Sequence, residues 1–139
     1  MISVVIADDE PLARERLRSL VTGHPDLTVV AECADGRETV ATVARLAPDL
    51  AFLDIQMPEL DGFGVLEALA PTHRPAVVFV TAYDEYAIHA FEVNAVDYLL
   101  KPVDPRRFEE ALSRARTRLS LSDSGRLAEL DQLLAELRR

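Results

Sequence analysis

Five short apolar runs alternate with five segments of helical period along this chain, and that alternation leaves few folds open. The runs are Ile2 to Ala7, Thr28 to Cys33, Leu50 to Asp54, Ala76 to Thr81 and Val96 to Leu100. Most are continuously apolar rather than alternating, the pattern of strands buried on both faces of a parallel sheet. Between them, Ala13, Leu17, Leu20 and Val21 recur at i, i+4, i+7 and i+8, and Phe108, Leu112, Ala115 and Leu119 follow a similar stripe after the fifth run. These read as one-sided helices packed on a sheet. Pro11 suits a first helical turn, where its missing N–H costs nothing, and Asp104 before Pro105 is a ready N-cap. Parallel strands joined by helices need right-handed crossovers, which put helices on both faces. The expected fold class is α/β, a doubly wound five-stranded parallel sheet with five helices plus a short C-terminal helix.

The 139 residues fit one main domain, expected over 1–119. The stretch Ser120-Leu121-Ser122-Asp123-Ser124-Gly125 reads as a polar break, so 120–139 is expected to be a serine-rich joint and a short amphipathic linker helix. A formal charge of −9, from 24 acidic against 15 basic side chains, would repel a phosphate backbone. Direct nucleic-acid contact by this chain is not expected. Cys33 stands alone, which leaves no disulfide framework. No apolar run approaches the roughly 20 residues that span a bilayer, and the N-terminus has no signal pattern. A cytoplasmic protein with no membrane partner is expected.

In a doubly wound sheet the ligand site lies at the carboxyl ends of the strands. Those ends supply Asp8-Asp9-Glu10, Asp54, Thr81 and Lys101. Carboxylates gathered there repel one another unless a cation sits among them, and an all-oxygen set suits Mg²⁺ or Mn²⁺. A lysine and a threonine hydroxyl beside such a metal add donors for a phosphoryl group. Asp8 and Asp9 are adjacent and can share metal duty, whereas Asp54 stands alone on the central strand, so Asp54 is the expected nucleophile. The other reading of Asp8-Asp9-Glu10, taken alone, is an acidic cap on the first helix.

With these residues in place, Asp8-Asp9, Asp54-Ile55-Gln56-Met57-Pro58 with Asp61-Gly62, Thr81-Ala82 and Lys101-Pro102 resemble the signature of response-regulator receiver domains over residues 1 to about 119. The run from Thr81-Ala82-Tyr83-Asp84-Glu85-Tyr86-Ala87 through Phe91 to Pro102 is similar to receivers of the LytTR (AlgR/LytR-like) group. The resemblance implies a flavodoxin-like strand order 2-1-3-4-5. It implies that Asp54 accepts a phosphoryl group from a sensor histidine kinase, that Asp8, Asp9, Asp54 and the Gln56 carbonyl hold Mg²⁺, and that Lys101 pairs with the phosphate. Thr81 and Tyr98 would form a switch pair, and the Lys101–Pro102 bond would be cis. Ordinary strand packing is the other reading for Thr81 and Tyr98. Such a chain is a phosphoacceptor rather than a turnover enzyme. Receivers of the LytTR-like group usually continue into a DNA-binding effector module, so an effector domain outside these 139 residues, or a stand-alone regulator, is expected.

Three rivals share parts of this pattern. An FMN carrier needs a hydroxyl- and glycine-rich loop after the first strand, where this chain is acidic. A haloacid-dehalogenase-type phosphatase carries an acid–base aspartate two residues past its nucleophile, where Gln56 stands. A partner-binding pseudo-receiver would not need the complete acidic set. Gln56 and Tyr83, two residues past Asp54 and Thr81, are expected to set the lifetime of the phosphate. Met57 and Phe63 read as packing residues, and His24, His73 and His89 as surface histidines. Phosphorylation is expected to favour a homodimer through the fourth helix, fifth strand and fifth helix, where Glu92, Asp97, Arg107, Glu110 and Arg114 could pair across a two-fold axis. Leu127, Leu130, Leu134 and Leu137, spaced as a short coiled-coil seam, would add to that contact, fold back on the domain, or begin a linker.

Overall fold

A computed structural model describes residues 1–138, with the side chains of 122–133 outside the description. The elements run β1 (Ile2–Ala7), α1 (Pro11–Thr22), β2 (Leu27–Cys33), α2 (Gly36–Leu46), β3 (Leu50–Leu53), α3 (Gly62–Ala68), β4 (Ala76–Thr81), α4 (Ala87–Glu92), β5 (Asp97–Leu100) and α5 (Pro105–Leu137). All strand pairs are parallel, in the order β2-β1-β3-β4-β5. The expected sheet is therefore the observed one, and its strand margins differ from the sequence reading by one residue at Leu27, Asp54 and Val96.

The apolar runs fill two cores because strand side chains alternate between faces. Val4, Ile6, Leu50, Phe52, Val78 and Val80 point to one side and meet Leu17, Val21, Phe108 and Leu112 from α1 and α5. Val5, Ala7, Ala51, Leu53, Val77 and Phe79 point to the other and meet Val43, Phe63, Val65 and Leu66 from α2 and α3. Burial on both faces holds for the inner strands but not at the edges, where Val30 on β2 and Leu100 on β5 are exposed. Met57 and Phe63 are core residues, as expected.

Helix starts follow the chemistry read from the sequence. Pro11 opens α1, and the Asp104 side chain caps α5 by accepting from Arg106 N at 2.8 Å. Asp35 accepts from Glu38 N at 2.8 Å while Glu38 accepts from Ala34 N at 3.1 Å, a reciprocal cap on α2. The C-terminal end corrects the expectation: the backbone stays helical through 120–125, so the C-terminal helix is a continuation of α5 and not a second helix behind a polar break. Of the leucine seam, Leu127 and Leu130 lie outside the described side chains, and Leu134 and Leu137 are exposed. Among the described residues no helix is long and apolar enough to cross a membrane.

Two features of α3 fix the backbone that follows β3. Asp61 caps the helix by accepting from Gly64 N at 2.7 Å, and Gly62 N donates to the Ile55 carbonyl at 2.8 Å. A methyl group on Gly62 would lie 2.7 Å from the Asp54 carbonyl oxygen and 3.1 Å from Ile55 Cα. The start of α3 is thus pressed against the main chain of Asp54, and only glycine leaves room. Gly62→Ala is expected to lower unfolding free energy by about 1–3 kcal/mol, the usual cost of overpacking. Gly23→Ala, where the added carbon meets nothing nearer than 3.4 Å, should stay within about 0.5 kcal/mol of the parent. Urea denaturation of the two variants checks the difference.

Candidate functional site

The sheet register brings the strand-end residues together. Ala7 pairs with Leu53 and Thr81 with Leu100, so the next residues, Asp8, Asp54 and Lys101, leave the sheet at one edge. The main-chain ladder runs one step further than the strands: Asp8 N donates to Cys33 O at 3.0 Å, Asp54 N to Ala7 O at 2.9 Å and Lys101 N to Thr81 O at 2.8 Å. These three backbones are therefore as fixed as the strands themselves.

Lys101 Nζ lies 2.9 Å from Asp8 Oδ2, 3.0 Å from Glu10 Oε1 and 3.2 Å from Asp54 Oδ2. Asp8 is wholly buried and Asp54 nearly so, while Asp9 and Glu10 face solvent. Carboxylate oxygens of Asp8, Asp9, Glu10 and Asp54 all fall within 4.8 Å of one another. The main chain adds two donors, Glu10 N to Asp8 Oδ1 at 2.9 Å and Gln56 N to Asp54 Oδ1 at 3.2 Å. Arg14 is close by but donates to the Asp8 carbonyl at 2.7 Å, leaving the carboxylates to Lys101.

Electrostatically the cluster is undercompensated. Burial, reinforced by the charge of Asp8, pushes the Asp54 carboxyl up to about 6, even though Lys101 and the Gln56 N–H favour its ionised form. Burial pulls the Lys101 ammonium down, but the neighbouring carboxylates of Asp8, Glu10 and Asp54 outweigh it and hold the group above its ordinary range. The cluster holds four carboxylates and one ammonium, which touches three of them. Asp8 Oδ2 is buried and has Lys101 Nζ, which it shares with Glu10 and Asp54, as its one cationic partner. Buried carboxylates with so little positive charge, inside an all-oxygen cluster, fit a hard divalent cation. Thr81 Oγ1 is buried with no hydrogen-bond partner among the described residues, so its hydroxyl is free to meet an incoming oxygen.

The acidic stretch is not a cap, since Glu10 at the N-cap position of α1 makes no side-chain capping bond. The Lys101–Pro102 peptide is cis. Tyr98 sits opposite Phe79 in the sheet, half-buried, and its hydroxyl donates to the Tyr83 carbonyl. Tyr83 is exposed, with its ring edge-on to Tyr86 at 6.4 Å. The Gln56 side chain donates from Nε2 to the Tyr86 hydroxyl at 3.1 Å. Three contacts were not anticipated. Glu10 pairs with Lys101, Tyr86 holds Gln56, and His89 stacks on Phe63 with ring centroids 3.9 Å apart. His24 is likewise partnered, to Glu109 at 2.8 Å, while His73 is an exposed turn residue.

The model of the response regulator receiver domain matches residues 4–113. The chain is 52% identical over 134 residues to the transcriptional regulatory protein BtsR of Salmonella typhi, covering 96% of this chain and 56% of that protein. It is 44% identical over 137 residues to an uncharacterized response regulatory protein of Vibrio vulnificus, covering 99% and 54%. The chain thus spans about half the length of these curated relatives. Among solved structures, the REC domain of AraT, a response regulator from Geobacillus stearothermophilus, superposes with a TM-score of 0.79 at 33% identity, covering 88% of this chain and 98% of that one. The response regulatory domain of mrkE from Klebsiella pneumoniae gives 0.77 at 34%, covering 86% and 99%. With the fold, the acidic strand-end cluster and its lysine already in that arrangement, the chain belongs to the response regulator receiver domain family.

Proposed function

We propose that Asp54 is the phosphoacceptor of this receiver, loaded from the phosphohistidine of a sensor histidine kinase in the cytoplasm. The gathering of four carboxylates, Asp8 and Asp54 among them buried, around the single ammonium of Lys101 is the observation that carries this reading. Asp8, Asp9, Asp54 and the Gln56 carbonyl would hold Mg²⁺ or Mn²⁺, which supplies the positive charge that lets an anionic phosphoryl group approach a carboxylate.

Asp54, mostly ionised at neutral pH, attacks phosphorus in line through a carboxylate oxygen. The bond from phosphorus to the donor's imidazole nitrogen breaks, and that nitrogen keeps the electron pair. Lys101 gives up a carboxylate contact to pair with a phosphoryl oxygen, and the Thr81 hydroxyl donates to another. The chain loads and clears one group on itself, so it works as a switch and not as a turnover enzyme. Tyr98 and Thr81 are the pair through which the phosphate is read. Tyr83, exposed beside the site, shields it from water and lengthens the phosphorylated state.

The reading extends to the whole protein. The receiver unit spans 1–119, and 120–139, helical as far as Leu137, is a connector toward a LytTR-type DNA-binding part that controls transcription. The run from Thr81 to Pro102 supports this group, as does the resemblance to a protein named as a transcriptional regulator. The active form is a homodimer through α4 and β5. Four of the five charges considered for that contact pair within the chain: Asp97 with Arg107 at 3.1 Å and Arg114 at 2.6 Å, and Arg107 with Glu110 at 2.9 Å. Beside Glu92 this face exposes the apolar side chains of Ile88, Phe91 and Leu100, which are 76%, 84% and 48% exposed.

Incubation with acetyl phosphate and Mg²⁺ is expected to add one phosphoryl mass, lost on chelation of the metal and in Asp54→Asn. Intact-mass measurement checks this, and labelling that persists in Asp54→Asn overturns the assignment. Light scattering with beryllofluoride is expected to report a dimer for the full chain and for a version ending at Leu119, reduced in Phe91→Ser. A monomer in both at high micromolar concentration contradicts the dimer. A dimer of the full chain alone, regardless of activation, assigns association to the leucine seam instead.

A further inference from the structure

The contact between Gln56 and Tyr86 joins two loops that the sheet keeps apart. Gln56 lies in the loop after β3, and its N–H is bonded to Asp54 Oδ1 at 3.2 Å, so its backbone is fixed against the acceptor carboxylate. Tyr86 closes a single 3₁₀ turn (Asp84–Tyr86) in the loop after β4. The 3.1 Å bond from Gln56 Nε2 to the Tyr86 hydroxyl bridges these loops beside Asp54.

Tyr86 is a firm anchor, whereas Gln56 is exposed and would otherwise sample several rotamers. The Tyr86 ring is half-buried, meets Phe63 of the core edge-on at 6.1 Å and 60°, and meets Tyr83 at 6.4 Å and 83°. The same loop is tied a second time, by the Tyr98 hydroxyl on the Tyr83 carbonyl. A side chain next to the acceptor is therefore held by a ring whose own position the core determines.

We propose that Tyr86 is a positioning residue that holds the Gln56 carboxamide as a strap beside Asp54 and so sets the lifetime of the acyl phosphate. The inference rests on Asp54 being the phosphoacceptor. Loss of the phosphate is attack of a water oxygen on phosphorus, with breakage of the bond to the Asp54 oxygen. Asp54 leaves with the electron pair as a free carboxylate, and a proton of the water passes to solvent or to the departing inorganic phosphate. The pinned carboxamide narrows the approach open to that water. Released, it swings away and the approach widens.

Tyr86→Phe keeps the ring on Phe63 and removes only the bridging oxygen, so it should fold as the parent does, with a melting temperature lower by no more than a few degrees. Its acyl-phosphate half-life, measured by intact mass after removal of acetyl phosphate in the presence of Mg²⁺, should fall by about three- to tenfold, the weight of one neutral hydrogen bond. Gln56→Ala, which keeps the backbone carbonyl, should shorten it similarly. The double variant should be no faster than the single ones, because both remove the same bridge. An unchanged or longer half-life in Tyr86→Phe, or effects that multiply in the double variant, overturns the strap while leaving Asp54 as acceptor. Failure of the parent chain to take up any phosphoryl group overturns the acceptor reading and the strap together.

Discussion

One ammonium group, Lys101 Nζ, touches three carboxylates at the carboxyl edge of the sheet, two of them buried. Such a cluster can persist only because the backbones beneath it cannot move apart. Asp8, Asp54 and Lys101 each hang from a strand end by a ladder hydrogen bond. The two cores above and below the sheet, and the close approach of Gly62 to the Asp54 main chain, hold those ends in place. The fold thereby stores a local electrostatic cost, visible in the upward shift of Asp54. A receiver needs that cost: a site already satisfied by its own groups would have no reason to take in a cation or a phosphoryl group.

Legibility in the sequence follows the same division. The sheet could be read because inner strands are apolar at nearly every position, and the site because its residues end or directly follow those strands. Asp8, Asp54, Thr81 and Lys101 needed no side-chain packing to be brought together. Tyr86, His89 and the Glu10–Lys101 pair were invisible because each depends on how a loop or a short helix settles on its neighbours. Tyr86 and Gln56 are 30 residues apart and no period links them.

The end of the chain misled for a different reason. Serines, an aspartate and a glycine in sequence look like a break, yet each costs a helix interior only about 0.5–1 kcal/mol relative to alanine. A long helix already nucleated and packed through Phe108, Leu112 and Ala115 propagates over such a stretch. The deciding contribution there is the preceding turns and not local propensity. The charges on α5 likewise depend on a contact outside the helix, since Asp97 gathers Arg107 and Arg114 within the chain.

The acidic cluster is held together at a cost that a divalent cation relieves. The most direct test is the melting temperature of the parent chain and of Asp54→Asn, each with and without millimolar Mg²⁺ at neutral pH. Mg²⁺ should raise the parent by several degrees through mass action. Asp54→Asn, relieved of one buried charge, should melt above the parent without metal and gain less from Mg²⁺. A parent indifferent to Mg²⁺, or an Asp54→Asn variant that melts below the parent in its absence, would contradict it.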